Sequence, residues 1–161
     1  MVKQDPGRSA MPAVAASGVS LLPTPKILVA DDDRYLAALV RQTLEECEIT
    51  VEVASNGEEA LRIANWFQPD AIVLDTMMPI IDGIEVLERL RRNVLHQVTP
   101  VLMLTSLRTV SDIQRAMASG ASGYLTKPFR PDELLKRVQW MLDPPTSAAR
   151  TPSGDGLVLD A

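Results

Sequence analysis

The sequence is poor in the residues that mark disulfide frameworks, nucleic-acid surfaces and membrane spans. Its 161 residues include one cysteine, Cys47, so no internal disulfide can form. The formal net charge of −5 argues against a nucleic-acid-binding surface, which needs clustered Lys and Arg. No apolar run approaches the roughly 20 residues of a spanning helix. We therefore expect a cytoplasmic protein with neither a nucleic-acid nor a membrane partner, and a buried, unreactive Cys47 in its apolar and acidic surroundings.

Both ends of the chain differ in composition from the middle, and the first 24 residues are too poor in large apolar residues to form a packed core. The stretch "AVAAS" faintly resembles a signal-peptidase site, but Asp5, Pro6 and Pro12 interrupt the pattern and favour a flexible leader. The stretch "DPPTSAARTPSGDG" after Leu142 is typical of a linker or tail. The predicted organisation is a leader over 1–24, one domain over 25–142, and a flexible tail or linker over 143–161.

Between these ends, strand and helix patterns alternate five times. Short apolar runs predict strands at Ile27–Ala30, Val51–Val53, Ala71–Leu74, Val101–Leu104 and Tyr124–Leu125. Apolar stripes at helical spacing lie between them, and the fourth consists of Ile113, Ala116, Met117 and Gly120. This alternation predicts an α/β domain with a doubly wound, five-stranded parallel sheet and five helices.

Polar residues follow these predicted strands directly, and parallel strands bring such residues to one edge of the sheet. They are Asp31–Asp33, Asp75, Thr105–Ser106 and Thr126–Lys127. Neighbouring carboxylates repel by ~4 kcal/mol per pair at an effective dielectric constant near 20, and a hard divalent cation removes that cost. A hydroxyl and a lysine beside the cation suit phosphoryl oxygens, and a carboxylate can accept a phosphoryl group. Asp33 fits a helix N-cap better than a ligand role.

Five stretches, in order from about Lys26 to Leu142, carry a family resemblance. They are "ILVADDD", "ASNGEEAL", "DAIVLDTMMPIIDGIEVLERLR", "PVLMLTS" and "GASGYLTKPFRPDELLKRV". In these stretches the chain resembles the receiver domain of two-component response regulators. The resemblance implies a flavodoxin-like fold with strand order 2-1-3-4-5. It also implies a signalling switch that is phosphorylated on aspartate.

The resemblance assigns a role to each matching polar residue. Asp75 corresponds to the phosphoacceptor, Lys127 to the lysine that pairs with the phosphoryl group, and Thr105 to the hydroxyl that moves towards it. Tyr124 corresponds to the aromatic switch residue, and Pro128 would follow a cis peptide bond. The implied ion is Mg²⁺, with Mn²⁺ as the alternative, and its implied ligands are Asp32, Asp75, the Met77 backbone carbonyl and, through water, Asp31.

Partners and output also follow from the resemblance. A sensor histidine kinase or a histidine phosphotransfer protein would supply the phosphoryl group. A downstream protein, or a second copy, would bind the face from Arg108 to Leu142. Met77 and Leu107, two residues past the acceptor and the threonine, are apolar and predict slow self-dephosphorylation. Ser122 and Gly123 stand where the winged-helix branch of the family usually has two acids.

Two questions stay open at this point. An alternative function is a Mg²⁺-dependent phosphohydrolase with an aspartate nucleophile, although such enzymes usually carry a second Asp where Met77 stands. No helix-turn-helix, kinase or cyclase pattern follows Leu142. We therefore expect either a single-domain regulator or a receiver cut from a larger protein.

Overall fold

A computed structural model describes residues 22–106 and 109–144, in which strands and helices alternate along the chain. The elements are β1 (Lys26–Ala30), α1 (Arg34–Glu45), β2 (Thr50–Ala54), α2 (Gly57–Phe67), β3 (Ala71–Asp75), α3 (Gly83–Arg92), β4 (Val101–Thr105), α4 (Val110–Ala118), β5 (Gly123–Thr126) and α5 (Pro131–Leu142). All five predicted strands are present, and each extends beyond its apolar run. None of the helices in the described ranges is long and apolar enough to cross a membrane.

The sheet is parallel, with the strand order β2-β1-β3-β4-β5, which confirms the predicted fold. The central strands β3 and β4 are buried along their whole length, as expected of strands that helices cover on both faces. The strand β2 lies at one edge, in agreement with its less apolar sequence.

Alternate residues of the strands point to opposite faces, and each face builds its own core. Leu28, Ile72 and Met103 pack with residues of α2, α3 and α4. Val29, Val73 and Leu104 point the other way and pack with residues of α1 and α5. The domain therefore has two apolar layers, and polar groups gather where the strands end.

The helices differ in how firmly they are packed. Four of them bury several residues each, whereas α4 buries only Ala116. Met117, which the sequence pattern grouped with Ala116 on one face, is 44% exposed. The predicted burial of Cys47 is wrong, because this residue lies in the turn after α1, beyond the apolar stripe of the helix, and is exposed.

Candidate functional site

The carboxyl ends of β1 and β3 bring three carboxylates together, as the sequence predicted. Oxygen atoms of Asp31, Asp32 and Asp75 all lie within 4.8 Å of one another. Asp31 and Asp75 are buried, whereas Asp32 is exposed. Two buried carboxylates and one exposed carboxylate suit a hard cation that keeps part of its water shell on the exposed side.

Lys127 reaches this cluster from the loop after β5. Its Nζ lies 2.8 Å from Asp31 Oδ2 and 3.2 Å from Asp75 Oδ1. The lysine side chain is 17% exposed, and those of Asp31 and Asp75 are 1% and 7% exposed, so the three charges interact away from bulk water. The Lys127–Pro128 peptide bond is cis, as the resemblance implied.

The electrostatics of the cluster leave Asp75 poorly stabilised as an anion. Burial, together with the negative charge of Asp31, raises the pKa of Asp75 to about 6, although Lys127 opposes the shift. Burial acts to lower the pKa of Lys127, but its contacts with Asp31 and Asp75 outweigh burial and raise it above the ordinary value. One ammonium group faces more than one carboxylate, so added positive charge would stabilise the site.

Thr105, Tyr124 and Met77 surround the cluster in different ways. Thr105 ends β4 and is 4% exposed, and the N–H of Lys127 donates to its carbonyl oxygen at 2.8 Å. Tyr124 is 36% exposed, and it lines a small cavity with Thr105, Asp112 and other residues of β4 and α4. Met77 points its side chain outward, 64% exposed, while its N–H lies 3.4 Å from Asp75 Oδ1.

Asp33 is separate in function from its two neighbours. Its Oδ1 accepts hydrogen bonds from the N–H groups of Tyr35 and Leu36 at 3.0 and 3.2 Å, which makes it the N-cap of α1. Its own N–H donates to Asp31 Oδ1 at 2.9 Å and so helps to hold that carboxylate. The N-cap role predicted from the sequence is confirmed.

The close contact of Gly83 with β3 was not predicted from the sequence. A Cβ atom at this position would lie 1.9 Å from the backbone oxygen of Asp75. The N–H of Gly83 donates to the Thr76 carbonyl at 3.0 Å, which closes the loop after β3. The Asp82–Gly83 pair was the available signal, because a glycine beside a helix cap often marks a close backbone approach.

Comparison with known proteins identifies the family of the chain. Residues 27–139 match the family model described as "Response regulator receiver domain". The chain belongs to this family. It is 43% identical over 118 residues to the DNA-binding dual master transcriptional regulator RpaA of Synechocystis, covering 73% of this chain and 49% of that protein. It is 44% identical over 117 residues to the alkaline phosphatase synthesis transcriptional regulatory protein PhoP of Bacillus subtilis, covering 73% and 48%.

Solved receiver structures show the same fold. The chemotaxis protein CheY4 of Vibrio cholerae superposes with a TM-score of 0.72 at 37% identity, covering 74% of this chain and 100% of that one. The receiver domain of the Francisella response regulator 1452 gives 0.70 at 42% identity, covering 74% and 97%. The chain spans about half the length of the curated relatives it matches. As a receiver domain of the two-component system, it is a module of phosphorylation-controlled signalling.

Proposed function

We propose that Asp75 accepts a phosphoryl group from a sensor histidine kinase or a histidine phosphotransfer protein. The observation that carries this proposal is the meeting of Asp31, Asp32 and Asp75 within 4.8 Å, with Lys127 bonded to two of the three. A carboxylate oxygen of Asp75 attacks phosphorus, the phosphorus–nitrogen bond to the donor histidine breaks, and its electron pair stays on the imidazole. The product is an acyl phosphate on Asp75.

The same residues suit Mg²⁺, or Mn²⁺ in its place, because carboxylate and carbonyl oxygens are the ligands that hard cations prefer. Asp32, Asp75 and the Met77 carbonyl would hold the ion, with Asp31 acting through water. When bound, the ion offsets the negative charge that the carboxylates present to an incoming phosphate. Lys127 can then pair with a phosphoryl oxygen, since its Nζ already lies 3.2 Å from Asp75 Oδ1.

Output would come from the face formed by α4, β5 and α5, from Arg108 to Leu142, of which Arg108 lies outside the described residues. Thr105 moves towards the phosphoryl group and leaves a void, and the ring of Tyr124 fills that void from the surface. The two residues already line one small cavity. The two states differ in the contacts of Thr105 and Lys127, which is the differential interaction that a shift between them requires. A downstream protein or a second copy then binds the altered face.

The acyl phosphate would be lost slowly by the domain alone, over minutes or longer. Met77, two residues past Asp75, offers no hydrogen bond to orient an attacking water. The other flanking residue, Leu107, lies outside the described residues. Loss of the label within seconds in Mg²⁺ would contradict this part of the proposal.

Phosphorylation with acetyl phosphate and Mg²⁺ tests the acceptor. The wild type should gain one phosphoryl group that is stable in acid and labile in base, and Asp75→Asn should gain none, because an amide is too poor a nucleophile. Asp33→Asn is the matched control: it removes an adjacent carboxylate but keeps a good N-cap, so labelling should persist. Labelling of Asp75→Asn at the wild-type rate, or labelling that survives chelation of the ion, would refute the assignment.

A further inference from the structure

The two ends of α4 are held very differently. At the start of the helix, the hydrogen bonds are local: Thr109 caps the N–H of Asp112 at 3.3 Å and also bonds its carboxylate. Val110 is 69% exposed. The small cavity of about 10 Å³ that Thr105 and Tyr124 line also touches Asp112, Ile113 and Ala116, so packing between α4 and these two residues is incomplete.

The far end of α4 is tied to α3 through Arg91. Its Nε and Nη2 both donate to the carbonyl oxygen of Gly120, at 3.0 and 2.7 Å. Its Nη1 donates to the carbonyl oxygens of His96 and Thr99, each at 2.9 Å. One guanidinium therefore joins the end of α3, the loop before β4 and the turn after α4, and its planar fork suits several fixed acceptors at once.

Two further contacts strengthen this junction. Ser119, the C-cap of α4, donates from its hydroxyl to Glu88 Oε1 at 3.3 Å. Gly120 has a φ of +99°, and a Cβ atom there would lie 2.9 Å from Arg91 Nε. The guanidinium also lies where the carbonyl groups of α4 end, so its positive charge complements the helix dipole.

We propose that Arg91 is a positioning residue that fixes the C-terminal end of α4 and makes this helix swing about Ser119–Gly120 when the domain switches. This inference rests on the proposed function, since it concerns which part of α4 moves when Asp75 is phosphorylated. The first turn of α4 lies about 12 Å from the fixed end, at 1.5 Å per residue, so a tilt of about 10° moves it by about 2 Å. Arg91 thereby confines the movement to the half of the helix beside Thr105 and Tyr124.

Amide NMR of the full chain, with and without beryllofluoride and Mg²⁺, tests the pivot, because beryllofluoride mimics a phosphoryl group on aspartate. In the wild type, shift changes should be large at 109–113 and small at 119–123. In Arg91→Met, they should extend through 119–123 and reach Thr99. Arg91→Lys should give an intermediate profile, because an ammonium group cannot serve all three carbonyls in the same geometry.

Two control variants distinguish the loss of the pivot from a general loss of fold stability. Arg89→Met removes a guanidinium from the same helix that pairs with Glu85 at the surface, and it should keep the wild-type profile. Ile63→Ala destabilises the core at α2, and it should also keep the wild-type profile. A profile that extends in Ile63→Ala as it does in Arg91→Met overturns the proposal.

The remaining outcomes distinguish the pivot from the proposed function. If Arg91→Met and Arg91→Lys both show the wild-type profile, the pivot is wrong while the switch stands. If the wild type responds around Asp75 but not at 109–113, α4 does not move and both the output model and the pivot fail. If Arg91→Met does not fold, the Arg91→Lys profile alone decides.

Discussion

Two part-buried cations lie at opposite ends of the sheet, and they meet different kinds of oxygen. Lys127, at the carboxyl ends of the strands, faces the carboxylates of Asp31 and Asp75. Arg91, near the amino ends of β4 and β5, donates to three neutral backbone carbonyls. The first centre holds excess negative charge and can be altered by an ion or a phosphoryl group. The second has its acceptors matched to its donors, so it favours one fixed arrangement.

The largest effect on stability should come from Arg91→Met. The substitution leaves the carbonyls of His96, Thr99 and Gly120 without this donor, and we expect the free energy of unfolding to fall by about 2–4 kcal/mol. Urea denaturation measures the change. Arg89→Met, which loses only an exposed ion pair, should stay within about 1 kcal/mol of the wild type. Equal losses in the two variants would show that the carbonyl contacts of Arg91 contribute no more to stability than an exposed ion pair does.

In the carboxylate centre, by contrast, removing the charged group Asp75 should increase the free energy of unfolding at neutral pH. The pKa of Asp75 is raised from 3.8 to about 6, so its stabilising contribution is present below pH 3.8 and is lost as the pH rises through about 6. Without Mg²⁺ at pH 7.5, Asp75→Asn should therefore raise the free energy of unfolding by about 1–3 kcal/mol. The gain should vanish near pH 4.

Added Mg²⁺ should reduce the difference in stability between Asp75→Asn and the wild type. The ion should stabilise the wild type more than Asp75→Asn, because it binds the native carboxylate cluster and not the unfolded chain. The gap between the two proteins should therefore narrow. An Asp75→Asn variant that is less stable than the wild type at pH 7.5 without Mg²⁺ would contradict the electrostatic destabilisation of the Asp75 anion described above.

The sequence predicted these two centres unequally well. Asp31, Asp75 and Lys127 follow apolar runs, and a parallel sheet gathers the ends of its strands, so their meeting could be expected from the order of the residues alone. Arg91 gave no such signal, because its partners are backbone carbonyls and every residue has one. The roles of Gly83 and Gly120 depend on distances to backbone atoms, which the sequence does not contain. The error at Cys47 arose because an apolar stripe does not show at which turn its helix ends.

The smallest effect concerns His96, whose backbone oxygen binds Arg91 and whose side chain is buried, 1% exposed. Burial, together with the charge of Arg91, lowers the pKa of His96 below 6.5. Its stabilising contribution is present above pH 6.5 and is lost as the pH falls towards the lowered native value. The free energy of unfolding should therefore change by no more than about 1.4 kcal/mol per pH unit on account of His96.

Because Asp75 titrates in the same range with the opposite sign, this slope is best measured in Asp75→Asn. Adding His96→Gln to that background should flatten the dependence of the free energy of unfolding on pH below pH 6.5. An unchanged slope in the double variant would show that His96 does not titrate with unfolding.

The exposed Cys47 gives the domain a natural attachment point for a probe. It is the sole thiol in the 161-residue sequence, and it follows α1 at the end of the sheet remote from Asp75. A maleimide dye would therefore label one position without any engineered cysteine, and it would not cover the carboxylate cluster. The fluorescence of such a dye, with Trp66 on α2 and Trp140 on α5 as energy donors, would report in real time whether a change at Asp75 reaches the opposite end of the domain.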